Sequence, residues 1–401
     1  MENSQPGGAA APQDPRLHRH IVDDCGNDPQ QFRRCDTTTV YKIQQGRVSV
    51  KRTFRMTFNG DNIRKIDNLQ PEHLPDWDVP SVKELSKSIC RLHVKCLSVR
   101  RQGTGFVLFD NYIMTNAHLF RYHDAFQTDG WIANTTVTAV FNCEDPDPST
   151  WNIFDVQRPV AGLTNKELDY VVLELKPQCQ MNQFDVPPGL LNKFSPVPAN
   201  GEACVIGHPG GSVKKIDPTC VIEKEKRKEA VEEYLDLYKD EDRPTLLYFG
   251  IKQHFETHPI KNIVEGGKKA DKVVTYKTFM YHGSSGSPVF DANCRVFGLH
   301  SGGYGHELPG HMEAVIELAH PLLNIFKSFV TELRDNGNEE LLSKVKEAAK
   351  GNHDLENILK DVMYVGVLHQ VKRSLEYLLN PFLVCIFVCV IGVVFYICIG
   401  L

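Results

Sequence analysis

Three segments of the sequence carry the residue types that make and activate a serine nucleophile. A serine hydroxyl attacks poorly until an imidazole accepts its proton, and the imidazole needs a carboxylate that fixes its tautomer and stabilises its charge. His118, Asp169 and Ser285 could supply these groups, in that order along the chain. This order differs from that of the hydrolases in which the serine precedes the histidine. The residue types and their order therefore predict acyl transfer by a His–Asp–Ser triad.

The histidine and the aspartate both lie beside short apolar runs that predict strands. His118 follows an apolar run and a turn of small residues, which would hold the imidazole at a sheet edge. Asp169 opens the almost wholly apolar run 170–175, where a partly buried carboxylate needs a hydrogen-bonding partner. Asp155 and Asp185 are poorer candidates because proline interrupts their strands. Taken alone, each residue could also be a surface histidine or a turn aspartate.

The serine lies in a loop of small residues, His-Gly-Ser-Ser-Gly-Ser-Pro, at positions 282–288. Gly283 and Gly286 allow a tight turn, so the amides of Gly283 and Ser285 could both face a developing oxyanion. A glycine- and serine-rich turn is the alternative interpretation of this motif alone. Its position downstream of His118 and Asp169 favours a nucleophile loop.

The segments around these residues are short, apolar or β-branched, and bounded by turn residues. They are 105–109, 137–141, 170–175, 203–206, 273–280, 287–290 and 296–300. Many short strands without alternating helices predict a sandwich or a barrel.

Two regions have helical periodicity instead. Residues 223–239 predict an amphipathic helix inside an insertion of about 217–272. This helix either covers apolar barrel surface or acts as a regulatory lid or docking element. Residues 322–333 and 339–350 predict two helices, with a break at Asn336–Asn338.

The motifs Gly283–Pro288, Thr115–His118 and Asp169–Leu173 together resemble the trypsin-like peptidases, over roughly residues 82–327. Residues 204–211 and 214–217, with 285–291, are similar to the intracellular proteases called "family with sequence similarity 111". The resemblance implies a mainly β, chymotrypsin-like fold of two six-stranded barrels with the triad between them. It also implies proteolysis of protein or peptide substrates in the nucleus, including proteins bound or crosslinked to DNA.

The same resemblance indicates where the substrate pocket lies. Phe279, six residues before the nucleophile, is expected at the pocket floor, and His300, Ser301 and Gly302 are expected to form one wall. Since no carboxylate is expected at the floor, we predict cleavage after apolar or aromatic residues. Ser284 stands where secreted trypsins carry an aspartate that pairs with a newly cut N-terminus, so that activation switch is not expected.

Composition sets the cellular context. The net charge is −5. The first residues have neither the basic nor the apolar region of a secretory signal, so the twelve cysteines are expected to be reduced. We expect no cofactor and no metal site. His254 and His258 have helical spacing but no third ligand, and His300, His306 and His311 share no ligand spacing.

Residues 40–66 are basic and could contact a phosphate backbone, although a solvated strand face is the more common meaning of such a pattern. DNA is therefore a predicted partner, with a solvated strand face as the alternative.

Residues 381–401 carry no charge, and as a helix they would extend about 31 Å, enough to cross a bilayer. A buried core helix is the alternative. Lys372 and Arg373 precede the run and would leave the protease domain on the cytosolic or nucleoplasmic side of a tail anchor.

The predicted organisation is a disordered leader (1–36), a basic segment and linker (37–81), the protease domain (82–327), a helical stalk (328–380) and a transmembrane anchor (381–401). An active membrane-anchored serine endopeptidase is the leading interpretation. A catalytically inactive protease-fold scaffold that binds partners at a membrane is the alternative.

Overall fold

The computed structural model describes residues 39–44, 47–52, 64–66, 77–96, 99–120, 126–127, 130–131, 135–176, 185–199, 201–236, 238–239, 245–280, 282–308 and 311–378. The chain divides into two units, Met1–Asn59 and Gly60–Leu401. The predicted leader and membrane anchor lie outside the described residues, and the predicted domain boundaries stay predictions.

The strands are β1 (Thr39–Gln44), β2 (Arg47–Arg52), β3 (Arg64–Lys65), β4 (Ile89–Cys96), β5 (Val99–Phe109), β6 (Tyr112–Thr115), β7 (Phe126–Gln127), β8 (Gly130–Trp131), β9 (Thr135–Phe141), β10 (Asn152–Asn165), β11 (Tyr170–Leu175), β12 (Glu202–Gly207), β13 (Lys215–Ile222), β14 (Val274–Tyr276), β15 (Pro288–Phe290), β16 (Val296–Leu308) and β17 (His311–Pro321). The helices are α1 (Val79–Ser86), α2 (Arg227–Asp236), α3 (Thr245–Thr257), α4 (Lys261–Val264), α5 (Leu322–Asp335), α6 (Glu339–Ala348) and α7 (His353–Leu378).

The first unit contributes the antiparallel hairpin β1–β2.

Two closed rings of strands form the body of the second unit. The first is a closed barrel in the order β10-β11-β6-β5-β4-β9. The second is a sheet in the order β12-β15-β16-β17-β14-β13-β3, in which an additional β12–β13 pairing closes six strands into a ring. Closure leaves no free edge on those strands. The prediction of a mainly β, chymotrypsin-like double barrel is confirmed.

Apolar side chains fill both barrels. Phe141 and Phe154 pack edge to face in the first barrel, with ring centroids 5.5 Å apart. Phe297 and Val289 are fully buried in the second. The short, β-branched runs that predict strands are therefore the runs that supply the cores.

A short helix precedes the barrels, where the sequence predicts strands from near Val82. Val82 lies in α1, and the first strand of the barrel begins at Ile89. Asp78 caps the helix by accepting a hydrogen bond from the Ser81 N–H at 3.4 Å, and Pro80 occupies its first turn. A capping side chain and an early proline favour a helix over a strand.

The insertion is helical, as predicted, and contains α2, α3 and α4. Arg227 of α2 anchors it, with only 4% of the residue exposed. Its guanidinium donates to the Ala270 and Val273 carbonyls at 2.8 and 2.9 Å and to Thr275 Oγ1 at 2.9 Å. These bonds satisfy a buried cation without a carboxylate partner among the described residues. The insertion is therefore attached to β14 of the second barrel.

The two helices predicted after the barrels are confirmed as α5 and α6. Asn338 accepts a hydrogen bond from the Leu341 N–H at 3.1 Å and caps α6 at the predicted break. Apolar residues of α5, α6 and α7, including Phe326, Leu342 and Leu355, belong to the largest buried cluster. This part of the predicted stalk therefore packs against the barrels. Within the described part of the chain, no helix is long and apolar enough to cross a membrane.

The six cysteines that the structure describes carry free thiols. Cys90 of the first barrel and Cys204 of the second are completely buried. Burial raises the pKa of the Cys90 thiol to about 12 and raises the pKa of Cys204 as well. Both thiols are consequently protonated and unreactive in the folded protein.

Candidate active site

The structure brings together the three side chains of the predicted triad. His118 lies on the 3₁₀ turn after β6, Asp169 on the turn before β11, and Ser285 on the loop before β15. The His118 Nδ1–Asp169 Oδ2 distance is 2.7 Å, and the His118 Nε2–Ser285 Oγ distance is 3.0 Å. Both distances are within hydrogen-bonding range. The imidazole therefore bridges a carboxylate on one side and a hydroxyl on the other.

Asp169 is held by its backbone as well as by its side chain. Its φ is 53°, in the left-handed region that aspartate tolerates better than most residues. Its carbonyl accepts hydrogen bonds from the Ala117 N–H at 3.2 Å and from Asn116 Nδ2 at 2.9 Å. Its Oδ1 accepts the backbone N–H of His118 at 2.9 Å. The carboxylate thus contacts both the ring and the backbone of the same histidine.

The nucleophile loop has the geometry expected for an oxyanion hole. Gly283 and Gly286 have φ values of 92° and 91°, which an L-residue rarely adopts. A Cβ atom on Gly286 would lie 2.0 Å from the Thr104 carbonyl oxygen, so only glycine fits there. Among the described residues, neither the Gly283 N–H nor the Ser285 N–H has a hydrogen-bond acceptor. Both amides are consequently available to a substrate oxygen.

The residues predicted to form the pocket wall lie on β16, beside the nucleophile loop. His300 is 2% exposed, and its Nδ1 lies 2.8 Å from the Tyr276 hydroxyl inside the second barrel. Burial, and to a lesser extent the charge of His118, lowers the pKa of His300 to about 3. The imidazole is therefore neutral. Ser301 Oγ lies 3.0 Å from Asn116 Nδ2, and a Cβ atom on Gly302 would meet open space.

The predicted pocket floor is fixed by a buried carboxylate that sequence reasoning missed. Asp217 Oδ2 accepts the Phe279 N–H at 2.7 Å and the Thr278 hydroxyl at 2.6 Å. Asp217 is 2% exposed, and burial raises its pKa to about 6. The only sequence signal was an aspartate within the apolar run of β13.

Glu317 of β17 is a second buried carboxyl that sequence reasoning missed. It is 6% exposed and has no hydrogen-bond or ion-pair partner among the described residues. A Cβ atom on Gly303 would lie 2.4 Å from Glu317 Oε2, so the carboxyl lies against the strand that borders the site. Burial raises the pKa of Glu317 to about 8. The carboxyl is therefore mostly protonated at neutral pH.

Glu317→Gln is expected to reduce the loss of stability with rising pH. Because the folded-state pKa is about 8, against an unfolded value of 4.5, the folded chain keeps a proton that the unfolded chain releases between these values. The free energy of unfolding therefore falls as pH rises through this window, by a few kcal/mol. Urea unfolding from about pH 5 to about pH 8.5 should show a smaller fall for Glu317→Gln, which has no proton to lose.

The exposed Glu347→Gln is the control and should follow the wild type. Equal pH dependence in Glu317→Gln and wild type would contradict the assignment.

The histidine groups set aside as metal sites do not form one among the described residues. The rings of His254 and His258 instead pack on Tyr304, with centroids 5.3 and 5.2 Å away. The side chains of His306 and His311 lie outside the described part of the structure.

Residues 103–299 match the family described as the trypsin-like peptidase domain. Serine protease FAM111A of Mus musculus is 32% identical over 205 residues, which are 50% of this chain and 32% of that protein. Serine protease FAM111B of Homo sapiens is 30% identical over 234 residues, 56% of this chain and 29% of that protein. The chain therefore spans about a third of the length of these relatives.

Among solved structures, the active form of the Rv3671c protease from M. tuberculosis is 17% identical, with a TM-score of 0.36, over 63% of this chain and 82% of that chain. The HtrA-type protease AlgW is 13% identical, with a TM-score of 0.35, over 60% of this chain and 58% of that chain. Likeness at these TM-scores supports no further conclusion. The sequence and family matches confirm the predicted resemblance of this region to the trypsin-like peptidases.

Proposed function

We propose that this chain, in which residues 103–299 match the trypsin-like peptidase domain, is a serine endopeptidase acting through Ser285, His118 and Asp169. The continuous hydrogen-bonded path from the Asp169 carboxylate through the His118 ring to the Ser285 hydroxyl carries the proposal. An inactive scaffold would not need this alignment, nor two amides left open beside the serine.

Each residue then has one role in acyl transfer. Ser285 Oγ attacks the scissile carbonyl carbon while His118 Nε2 takes the hydroxyl proton. The Gly283 and Ser285 amides bind the oxyanion of the tetrahedral intermediate. His118 passes the proton to the leaving amine, and the acyl group stays on Ser285. Water then attacks the acyl carbon while His118 takes its proton, and Ser285 Oγ leaves with the proton that His118 returns, which releases the acid. Asp169 holds the imidazole in the tautomer with Nδ1–H throughout.

Labelling with a fluorophosphonate probe tests the proposal. The full chain should react, and mass spectrometry should place a single adduct on the peptide that contains Ser285. Absence of labelling in a folded protein would favour the scaffold alternative.

The preference for apolar or aromatic residues before the cleaved bond is part of the proposal and depends on Phe279. Its N–H bond to Asp217 supports a fixed position for this residue at the expected floor. A peptide library supplies the test, and preferential cleavage after basic or acidic residues would contradict it.

We further propose, from the family resemblance, that substrates include proteins bound to DNA in the nucleus. The basic hairpin β1–β2, with Lys42, Arg47, Lys51 and Arg52, supports a DNA contact. DNA binding by the full chain should then weaken steeply with salt. Salt-independent binding would argue against it.

The uncharged run 381–401 supports a membrane anchor that leaves the protease domain in the cytosol or nucleoplasm. The full chain should resist carbonate extraction from membranes, whereas a variant ending at Asn380 should be released. Equal extraction of both would contradict the anchor.

A further inference from the structure

Thr104 of the first barrel contacts the nucleophile loop of the second barrel through three of its atoms. The residue is completely buried in β5, and its carbonyl accepts a hydrogen bond from Thr115 Oγ1, at the end of β6, at 2.6 Å. Its N–H donates to the Ser285 carbonyl at 2.8 Å, and its hydroxyl donates to the Gly283 carbonyl at 2.9 Å. Its own carbonyl lies against Gly286. One residue therefore fixes the backbone on both sides of the nucleophile.

The two other carbonyls of the loop are also engaged. The Ser284 carbonyl accepts the Ser287 N–H at 2.9 Å, and the His282 carbonyl accepts the Gly210 N–H. All four carbonyls from His282 to Ser285 are thus hydrogen-bonded away from the substrate side. A peptide plane that is fixed at its carbonyl is also fixed at the following N–H. The bonds to the His282 and Ser284 carbonyls set the orientation of the open Gly283 and Ser285 amides directly. The Thr104 hydroxyl holds the Gly283 carbonyl, in the peptide plane between these two.

The Thr104 hydroxyl also supports the turn at residues 208–211, whose Gly210 N–H donates to the His282 carbonyl. It accepts the His208 N–H at 3.0 Å, while Arg91 Nη1 donates to the Gly211 carbonyl at 2.9 Å on the other side of the turn. A Cβ atom on Gly283 would lie 2.7 Å from the His208 carbonyl oxygen, so the turn and the loop are in direct contact. Loss of the hydroxyl would therefore affect the Gly283 carbonyl directly and the His282 carbonyl through this turn.

We propose that the Thr104 side chain is a positioning residue that holds the oxyanion hole in its open orientation. The inference depends on the proposed peptidase function. Thr104 touches no reacting atom, so its contribution must appear in steps that build negative charge on the substrate oxygen. Ground-state binding of the substrate should change little.

Three variants separate this role from a general loss of stability. Thr104→Val removes the hydroxyl at nearly constant shape, and Thr104→Ser keeps it. Thr275→Val is the matched control, because Thr275 is equally buried. Its hydroxyl likewise donates to a backbone carbonyl, of Ile222, and accepts from an N–H, of the Arg227 side chain. It lies at the insertion, away from the nucleophile loop.

Thr104→Val should lower kcat by about 10- to 100-fold, less than the loss of a whole oxyanion donor, with KM within about threefold of wild type. The inhibition constant of a peptide aldehyde should rise in parallel, because its adduct with Ser285 places an oxyanion in the hole. Thr104→Ser should recover kcat to within about threefold, and Thr275→Val should lose stability without losing kcat.

Suppose that the wild type reacts normally and that folded Thr104→Val keeps the wild-type kcat and aldehyde affinity. That result would overturn the proposal and leave the peptidase function intact. Equal loss of kcat in Thr275→Val would also overturn it, because the effect would then be general. If Thr104→Val does not fold, Thr104→Ala, which also removes the hydroxyl, is expected to show the same pattern. A wild type that reacts with neither substrate nor fluorophosphonate would remove the proposed function and the inference with it.

Discussion

Ser285→Ala is expected to lower kcat by about 10⁶-fold, because no other hydroxyl can form the acyl-enzyme and the His118 base has nothing to deprotonate. The residual rate would come from substrate binding and the amides of the oxyanion hole acting on water. Steady-state hydrolysis of a peptide ester or a cleaved library peptide provides the measurement, with fluorophosphonate labelling as a second readout. KM should stay close to wild type, since the substitution removes one small atom.

Ser284→Ala is the matched control for this substitution. Ser284 is the adjacent residue and is fully buried, and its hydroxyl has no partner among the described residues. Its kcat should stay within a few-fold of wild type. If Ser284→Ala lost as much activity as Ser285→Ala, disturbance of the loop would explain both results and the assignment of the nucleophile would fail.

Asp169→Asn is expected to lower kcat by about 10⁴-fold. The Asp169 Oδ1 atom accepts the His118 backbone N–H, which cannot reverse its direction, so the amide oxygen must occupy this position. The amide NH₂ then faces His118 Nδ1, where the carboxylate Oδ2 lies 2.7 Å away in the wild type. A donor at that place favours the tautomer with its proton on Nε2. Such a ring cannot accept the Ser285 proton.

Asparagine also tolerates the left-handed backbone of Asp169, so the variant should fold. Asp155→Asn is the control, because Asp155 is exposed and its side chain pairs only with Lys176 in the described structure. Circular dichroism and kcat should both be unchanged for Asp155→Asn. Nearly full activity in Asp169→Asn would show that another group orients the imidazole.

The sequence was sufficient to predict the barrels and the meeting of His118, Asp169 and Ser285 because both depend on local patterns. His118, Asp169 and Ser285 each stand beside an apolar strand, and closure of the barrels brings the ends of those strands together. The helix around Val82 was not predicted because it is short and its apolar residues also suit a strand, although Asp78 and Pro80 favour a helix start. Helix α3 was missed because its residues lack the charged face that identified α2.

The supporting residues of the site could not be predicted in the same way. Thr104 and Gly283 are far apart in sequence, and nothing in the short motif around Thr104 says which loop its hydroxyl meets. The Asp217 contact with Phe279 and the position of Glu317 beside Gly303 likewise depend on the register of neighbouring strands. Register is set by the packing of whole barrels, and a single sequence does not state it.

The buried cysteines offer a way to measure how often each barrel opens. Cys90 belongs to the core of the first barrel and Cys204 to a core cluster that includes strands of the second. An alkylating reagent reaches such a sulfur only after the surrounding strands separate and the thiol meets water. The labelling rates of the two cysteines in the native protein would therefore measure how often each barrel opens. Comparing them with and without a bound inhibitor would tell which half of the molecule substrate binding makes more rigid.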